Sequence, residues 1–140
     1  MILSVDSINK AWTDLYYYLH YKHEESLTHQ NIRCMQTIEK NKRVTIQLLS
    51  EVMGISHNTA SEHIKRLMQK GYVQKERNLE DKRIVQVKLT TPGKEALKRN
   101  TELDEQKLQV ILERLSVEDQ AQVLKAFELL SKEARHVFSS

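Results

Sequence analysis

The chain is poor in the residues that make turns and crosslinks. Its 140 residues include 3 Gly, 1 Pro and 1 Cys. So little glycine and proline excludes a β-sandwich and a disordered chain, because tight turns and flexible tracts use both heavily. A single cysteine closes no internal disulfide, so nothing calls for an oxidising compartment. Long apolar runs are missing too: none approaches the roughly 20 residues a membrane-spanning helix needs. The opening Met1-Ile2-Leu3-Ser4-Val5-Asp6 has no basic n-region and no small-residue cleavage site. The expected location is therefore cytoplasmic, with no membrane partner. What is present, 39% hydrophobic and 29% charged residues, suits one mainly helical domain with a modest core.

The net charge of +3 is unevenly spread. Residues 1–40 carry 4 basic and 5 acidic side chains, residues 41–88 carry 10 and 5, and residues 89–140 carry 8 and 9. The basic excess thus lies in the middle third, between two slightly acidic flanks. Such a local field attracts a polyanion, of which nucleic acid is the common case; the alternative is a solvated surface with a chance excess.

Periodicity sets the element order. Val5, Ile8, Trp12, Leu15 and Leu19 recur at spacings of 3 and 4, the stripe of an amphipathic helix, widened by Tyr16, Tyr17, Tyr18 and Tyr21 and expected to end near residues 25–27. Thr28 can cap a second helix with Ile32, Met35 and Ile38 inward. A short third helix follows at residues 45–53, closed by Gly54, where positive φ costs glycine nothing. Ser56 can cap a fourth helix with Ala60, Ile64, Leu67 and Met68 inward, stopped at Gly71. The period then drops to 2 in residues 72–77 and 84–89, which reads as an antiparallel hairpin. Thr91 is expected to cap a fifth helix with Pro92 at its first position. That helix has a polar middle between Lys98 and Lys107 and runs on to Leu115. Ser116 starts a sixth, with the stripe Val123, Phe127, Leu130, Ala134 and Val137.

A short helix, a glycine turn, a second helix and a β-hairpin describe a winged helix-turn-helix. The expected fold is mainly α, with six helices and a small β-hairpin wing. The second helix of such a unit is narrow enough for the major groove of B-DNA, and the hairpin is a thin basic finger. The outward residues of that helix are His57, Asn58, Ser61, Glu62 and Lys65, flanked by Thr59 and Arg66. Asn58 can pair with adenine, Glu62 can accept from cytosine, and Lys65 can reach guanine or phosphate. Thr59 and Arg66 are better placed for phosphates. The plain alternatives are a Glu62–Arg66 surface pair and an Asn58 that only closes the first turn. His63 falls on the inner face and reads as partly buried packing. In the hairpin, Lys75, Arg77, Lys82 and Arg83 carry charge, and Asp81 can orient the Arg83 guanidinium; the alternative is an ordinary surface pair.

Leu49-Ser50-Glu51-Val52-Met53-Gly54-Ile55-Ser56, Thr59-Ala60-Ser61, Arg66-Leu67 and Lys70-Gly71-Tyr72-Val73 resemble the MarR-type (multiple antibiotic resistance) transcriptional regulators. Asp81-Lys82-Arg83 and Val87-Lys88-Leu89-Thr90-Thr91-Pro92-Gly93 resemble that family's wing and the start of its fifth helix. Asn78 stands where the family often has Asp, and Lys82 where Arg is common. The resemblance implies a homodimeric regulator of an inverted-repeat operator in double-stranded DNA, with no enzymatic activity. It also implies repression relieved by a small effector or an oxidant. Residues 41–91 would be the DNA-binding lobe, and residues 1–40 and 92–140 the dimerisation helices of a single 1–140 domain. The apolar stripes at both chain ends favour a twofold dimer independently; the alternative is that they pack on each other within one subunit.

Cys34 could sense oxidants, although buried thiols are usually inert. His20, His23, Glu24 and His29 have a usable metal spacing, or form a solvated helix end. Trp12 and the tyrosines could line a pocket for an aromatic effector, or form dimer core. No phosphate loop, carboxylate pair or activated nucleophile stands out, so no catalytic residue and no cofactor are expected. A winged helix that binds protein instead of DNA is disfavoured by the basic outward face of residues 56–66.

Overall fold

A computed structural model describes residues 4–23 and 25–139. The chain divides after Glu102 into two compact units. The first holds α1 (Val5–Leu19), α2 (His29–Lys40), α3 (Ile46–Met53), α4 (His57–Gln69), β1 (Val73–Arg77), β2 (Val85–Leu89) and α5 (Thr91–Thr101). The second holds α6 (Glu105–Glu113) and α7 (Val117–Phe138).

Side-chain caps start the helices as their sequences suggest. Thr28, Thr45 and Ser56 accept from the amides of Asn31, Leu48 and Thr59 at 3.0, 3.1 and 3.0 Å. Each satisfies a first-turn donor that has no helical partner. Gly54 has φ 65° and Gly71 φ 80°, the left-handed conformation that ends a helix at little cost for glycine. The strands pair antiparallel, with Val73 opposite Leu89 and Arg77 opposite Val85. Val87 N also donates to Val44 O at 2.8 Å, tying the hairpin to the segment before α3.

Three boundaries depart from the sequence reading. Helix α1 ends at Leu19, well before residue 25. His20 turns extended, and its Nδ1 lies 2.9 and 3.0 Å from the carbonyls of Tyr16 and Tyr17, occupying acceptors that the next helical turn would have used. The cap of α5 is Thr90, not Thr91. Its hydroxyl donates to Gly71 O at 2.6 Å and accepts from Gly93 N at 3.0 Å, so one side chain joins the end of α4 to the start of α5 and Pro92 moves to the second position. The expected long fifth helix stops at Thr101, giving seven helices among the described residues instead of six. Glu102 is extended, and Asp104 Oδ1 accepts from Gln106 N and Lys107 N at 2.9 and 3.3 Å. A local N-cap thus competes with continuation where no apolar stripe holds the helix together.

The core of the first unit gathers Cys34, Met35 and Ile38 of α2, Val44, Leu49 of α3, and Ala60, Ile64 and Leu67 of α4. Val73, Val87 and Leu89 of the hairpin and Leu97 of α5 complete it. Fully burying each large side chain contributes about 1.5–3 kcal/mol. Met68, expected inward, is 39% exposed, because the position after Leu67 rotates off the buried face. Gly93 is packed so closely that a Cβ there would lie 2.0 Å from Tyr72 O. Arg99 of α5 bonds Glu25 through both Nε and Nη2, fastening the α1–α2 connection. Burial alone would raise the Glu25 carboxyl, but the Arg99 hydrogen bonds and charge, with His23, hold it below its ordinary value. His63 is 9% exposed, as its inner position implied, and its Nε2 lies 2.9 Å from Gln30 Oε1 on α2.

Candidate nucleic-acid interface

The side of α4 opposite its buried residues is open. His57, Asn58, Thr59, Glu62, Lys65 and Arg66 are exposed and Ser61 is half-buried, so the seven helix residues singled out from the sequence share one accessible side. Two of the plain alternatives are not realised. Glu62 and Arg66 form no ion pair among the described residues. The first turn is closed by Ser56, whose hydroxyl accepts from Thr59 N and donates to Thr59 Oγ1 at 2.8 Å; Asn58 takes no part in that cap. Its amide keeps the paired donor and acceptor that a base edge requires.

The wing loop is built from its own side chains. Asn78 Oδ1 accepts from Glu80 N and Asp81 N at 2.8 and 3.0 Å, an Asx turn. Asn78 N donates to Ile84 O at 2.9 Å, and Arg77 Nη1 donates to Lys82 O at 2.8 Å. Within this frame Arg83 donates from Nε and Nη2 to the two oxygens of Asp81, both at 3.0 Å, and from its backbone N at 3.1 Å. The Arg83 hydrogen bonds hold the Asp81 carboxyl below its ordinary value, and Asp81 raises the guanidinium. The clamped Arg83 side chain remains 91% exposed. Its direction is fixed while its outer face stays available to a phosphate or a groove. Lys82 is exposed beside it. On the strands, Lys88 is neutralised by Glu76 at 2.9 Å.

Two contributions escaped the sequence reading. Arg77 supplies more than charge, because it braces the loop. Asn78 opens the loop and also organises the turn; an Asn at the start of a hairpin loop is the signal for this. His57, Lys75, Arg77 and Arg83 meet around one cleft of about 700 Å³ floored by Ile46 and Val85, a convergence of α4 and wing that periodicity cannot supply.

The remaining candidates fall elsewhere. Cys34 is fully buried, and burial pushes its thiol up to about 11, far from the thiolate a sensor needs. His23 Nδ1 is 3.4 Å from Glu25 Oε2, and His29 opens α2 on the surface. Glu24 lies outside the described residues, and among those described no three metal donors gather. Tyr16 donates to Asn100 O at 3.2 Å and stacks on His20, while Tyr17 and Tyr18 meet edge to face.

A helix-turn-helix followed at once by an antiparallel hairpin is a winged helix, a class whose second helix and hairpin read duplex DNA. Residues 27–85 match the model of the MarR family. Over 76 residues the chain is 32% identical to the HTH-type transcriptional regulator SarZ of Staphylococcus haemolyticus, covering 54% of this chain and 52% of that protein. The chain thus spans about half the length of the curated relative it matches. Its fold is similar to that of a MarR-like transcriptional regulator from Thermotoga maritima, with a TM-score of 0.69 at 20% identity over 94% of this chain and 97% of the other. It is also similar to a cysteine-to-serine mutant of MarR from E. coli complexed with operator DNA, with a TM-score of 0.52 at 29% identity over 76% and 75% of the two chains. The similarity to the MarR family thus rests on residues 27–85, the stretch that holds α2, α3, α4 and β1.

Proposed function

We propose that this protein is a sequence-specific double-stranded DNA-binding transcriptional regulator that acts as a homodimer, most simply a repressor released by a small effector. The observation that carries the reading is the open polar side of α4 beside an arginine held by its own carboxylate. Asn58, Glu62, His57 and Ser61 take base edges, Lys65 a guanine or phosphate, and Thr59 and Arg66 phosphates. Lys82 and Arg83, steadied by Asp81, follow the backbone or the minor groove.

Dimerisation is supported by what the ends of the chain leave uncovered. Helix α1 buries only Leu19, with Val5, Ile8 and Trp12 at 64%, 49% and 53% exposure. Helix α7 buries nothing and exposes Val123, Phe127, Leu130 and Val137. A second copy supplies the missing cover, with residues 1–40 and 92–140 as the clasp and residues 41–91 as the reading lobe. A dimer then presents two recognition helices to an inverted repeat.

Selection of bound duplexes from a random pool tests this. An enriched inverted repeat, with affinity that falls steeply between about 50 and 200 mM salt as counterions are released, is the expected result. No enrichment, or affinity indifferent to salt, would overturn it.

A further inference from the structure

A second concavity lies outside the proposed reading surface. A cleft of about 620 Å³ opens between the end of α2, strand β2 and α5, and no residue of α4 lines it. That volume is typical of small-molecule sites. Five cationic side chains line it, Lys42, Arg43, Lys88, Lys94 and Lys98, against two carboxylates, Glu39 and Glu102. Much of this charge is uncompensated. Lys88 is taken by Glu76 at 2.9 Å, and Glu39 lies 3.5 Å from Lys40. Lys42, Arg43 and Lys94 form no ion pair among the described residues. Arg43 is also the one described residue other than glycine with positive φ, at 53°. Few residues with a side chain adopt that conformation, and here it turns the chain between α2 and Val44.

Ile38, Val44, Val87 and Leu89 lie beneath the cleft and are themselves at most 9% exposed, so the surface that a ligand meets is mainly that of the cationic side chains. Such a lining matches a small ligand with two or more negative charges.

We infer that this cleft binds a small organic anion carrying two or more negative charges, a phosphate ester or a di- or tricarboxylate. Arg43 takes an anionic group side-on, and Lys42 and Lys94 neutralise the remainder. The site is connected to the wing: Gln86 and Lys88 of β2 border it, and with Arg43 they also border the depression beside Asn78 and Leu79 of the wing loop. A bound anion therefore rests on the strand that leads from Arg83. Its role as an effector of DNA release depends on the function proposed above, whereas its binding does not.

Calorimetric titration of the full chain with citrate and with fructose 1,6-bisphosphate, in chloride of matched ionic strength, tests the site. Saturable binding of at least one probe is expected, weakened tenfold or more by Arg43→Gln or by the Lys42→Gln/Lys94→Gln pair and unchanged by Lys65→Gln on α4. The paired lysine variant alters only exposed positions and serves if the Arg43 substitution disturbs the turn. Binding of neither probe, or binding unmoved by both cleft variants, overturns the inference. Loss of duplex affinity in the cleft variants without any small-anion binding also overturns it and reassigns the lysines to the DNA backbone. Anion binding by a protein that recognises no duplex leaves the cleft standing and removes the regulator.

Discussion

The cluster around α4 and the long helix α7 are built on the same kind of apolar stripe and end in opposite states. Residues 29–97 place a dozen apolar side chains in one cluster, with Leu49, Ile64 and Leu67 fully buried. Helix α7 has a stripe as regular as that of α4, yet Leu130 and Val137 stand at 58% and 61% exposure. Sequence pattern alone does not distinguish them. The first has its cover within the chain, and the second does not have it among the described residues of one subunit. An amphipathic pattern is therefore a demand for burial, and the supplier must be found separately.

The sharpest way to break that contrast is to truncate one member of each stripe. Leu67→Ala is expected to cost about 2–5 kcal/mol in denaturant unfolding. Leu130→Ala, measured in protein diluted until it is monomeric, is expected to stay within about 0.5 kcal/mol of the parent. Equal costs in the monomer would mean that α7 has a core of its own. Next comes association itself. Phe127→Ser with Leu130→Ser is expected to convert a dimer into a monomer in sedimentation experiments, and a parent protein that sediments as one chain at every concentration would remove the proposed second copy.

Smaller effects separate the two parts of the reading surface. Arg83→Ala is expected to weaken binding by roughly tenfold across many duplexes, while Asn58→Ala relaxes preference at a single base position. Identical behaviour of the two variants would erase the division between positioning and reading. The clamp adds a pH dependence of definite sign. Because Asp81 has its carboxyl lowered in the folded protein, its contribution is present above the ordinary aspartate value of about 4 and is lost as pH falls through the lower folded value. Arg83 order, followed by NMR of its side chain, is thus expected to persist on mild acidification in the parent and to be reduced at every pH in Asp81→Asn, which has no carboxyl to titrate. Within the helix-turn-helix, Ser56→Ala is expected to cost about 1 kcal/mol in denaturant unfolding, from loss of the α4 cap.

The helix-turn-helix was legible because each boundary is written locally: Ser56 and Thr45 cap, Gly54 and Gly71 stop, and the change of period marks the hairpin. The three displaced helix ends share one cause. At His20, Thr90 and Asp104 a polar side chain captures backbone groups and moves a helix end, and periodicity does not register such competition. The outward side of α4 followed from the inward one, and so did the exposure of its candidate contacts. The joining of α4 to the wing around His57, Lys75 and Arg83 did not, since it depends on how the hairpin is docked by Thr90 and Val44, residues distant in sequence from those they position.

That docking has its tightest point at Gly93. A single added carbon there would collide with the Tyr72 carbonyl, and since the obstacle is main chain, no rotamer change can relieve it. Position 93 thus has an alphabet of one letter, for a reason unrelated to flexibility. In any collection of random variants selected for a folded wing, it should be the most monotonous site in the hairpin–helix junction, while the exposed Pro92 beside it drifts more freely.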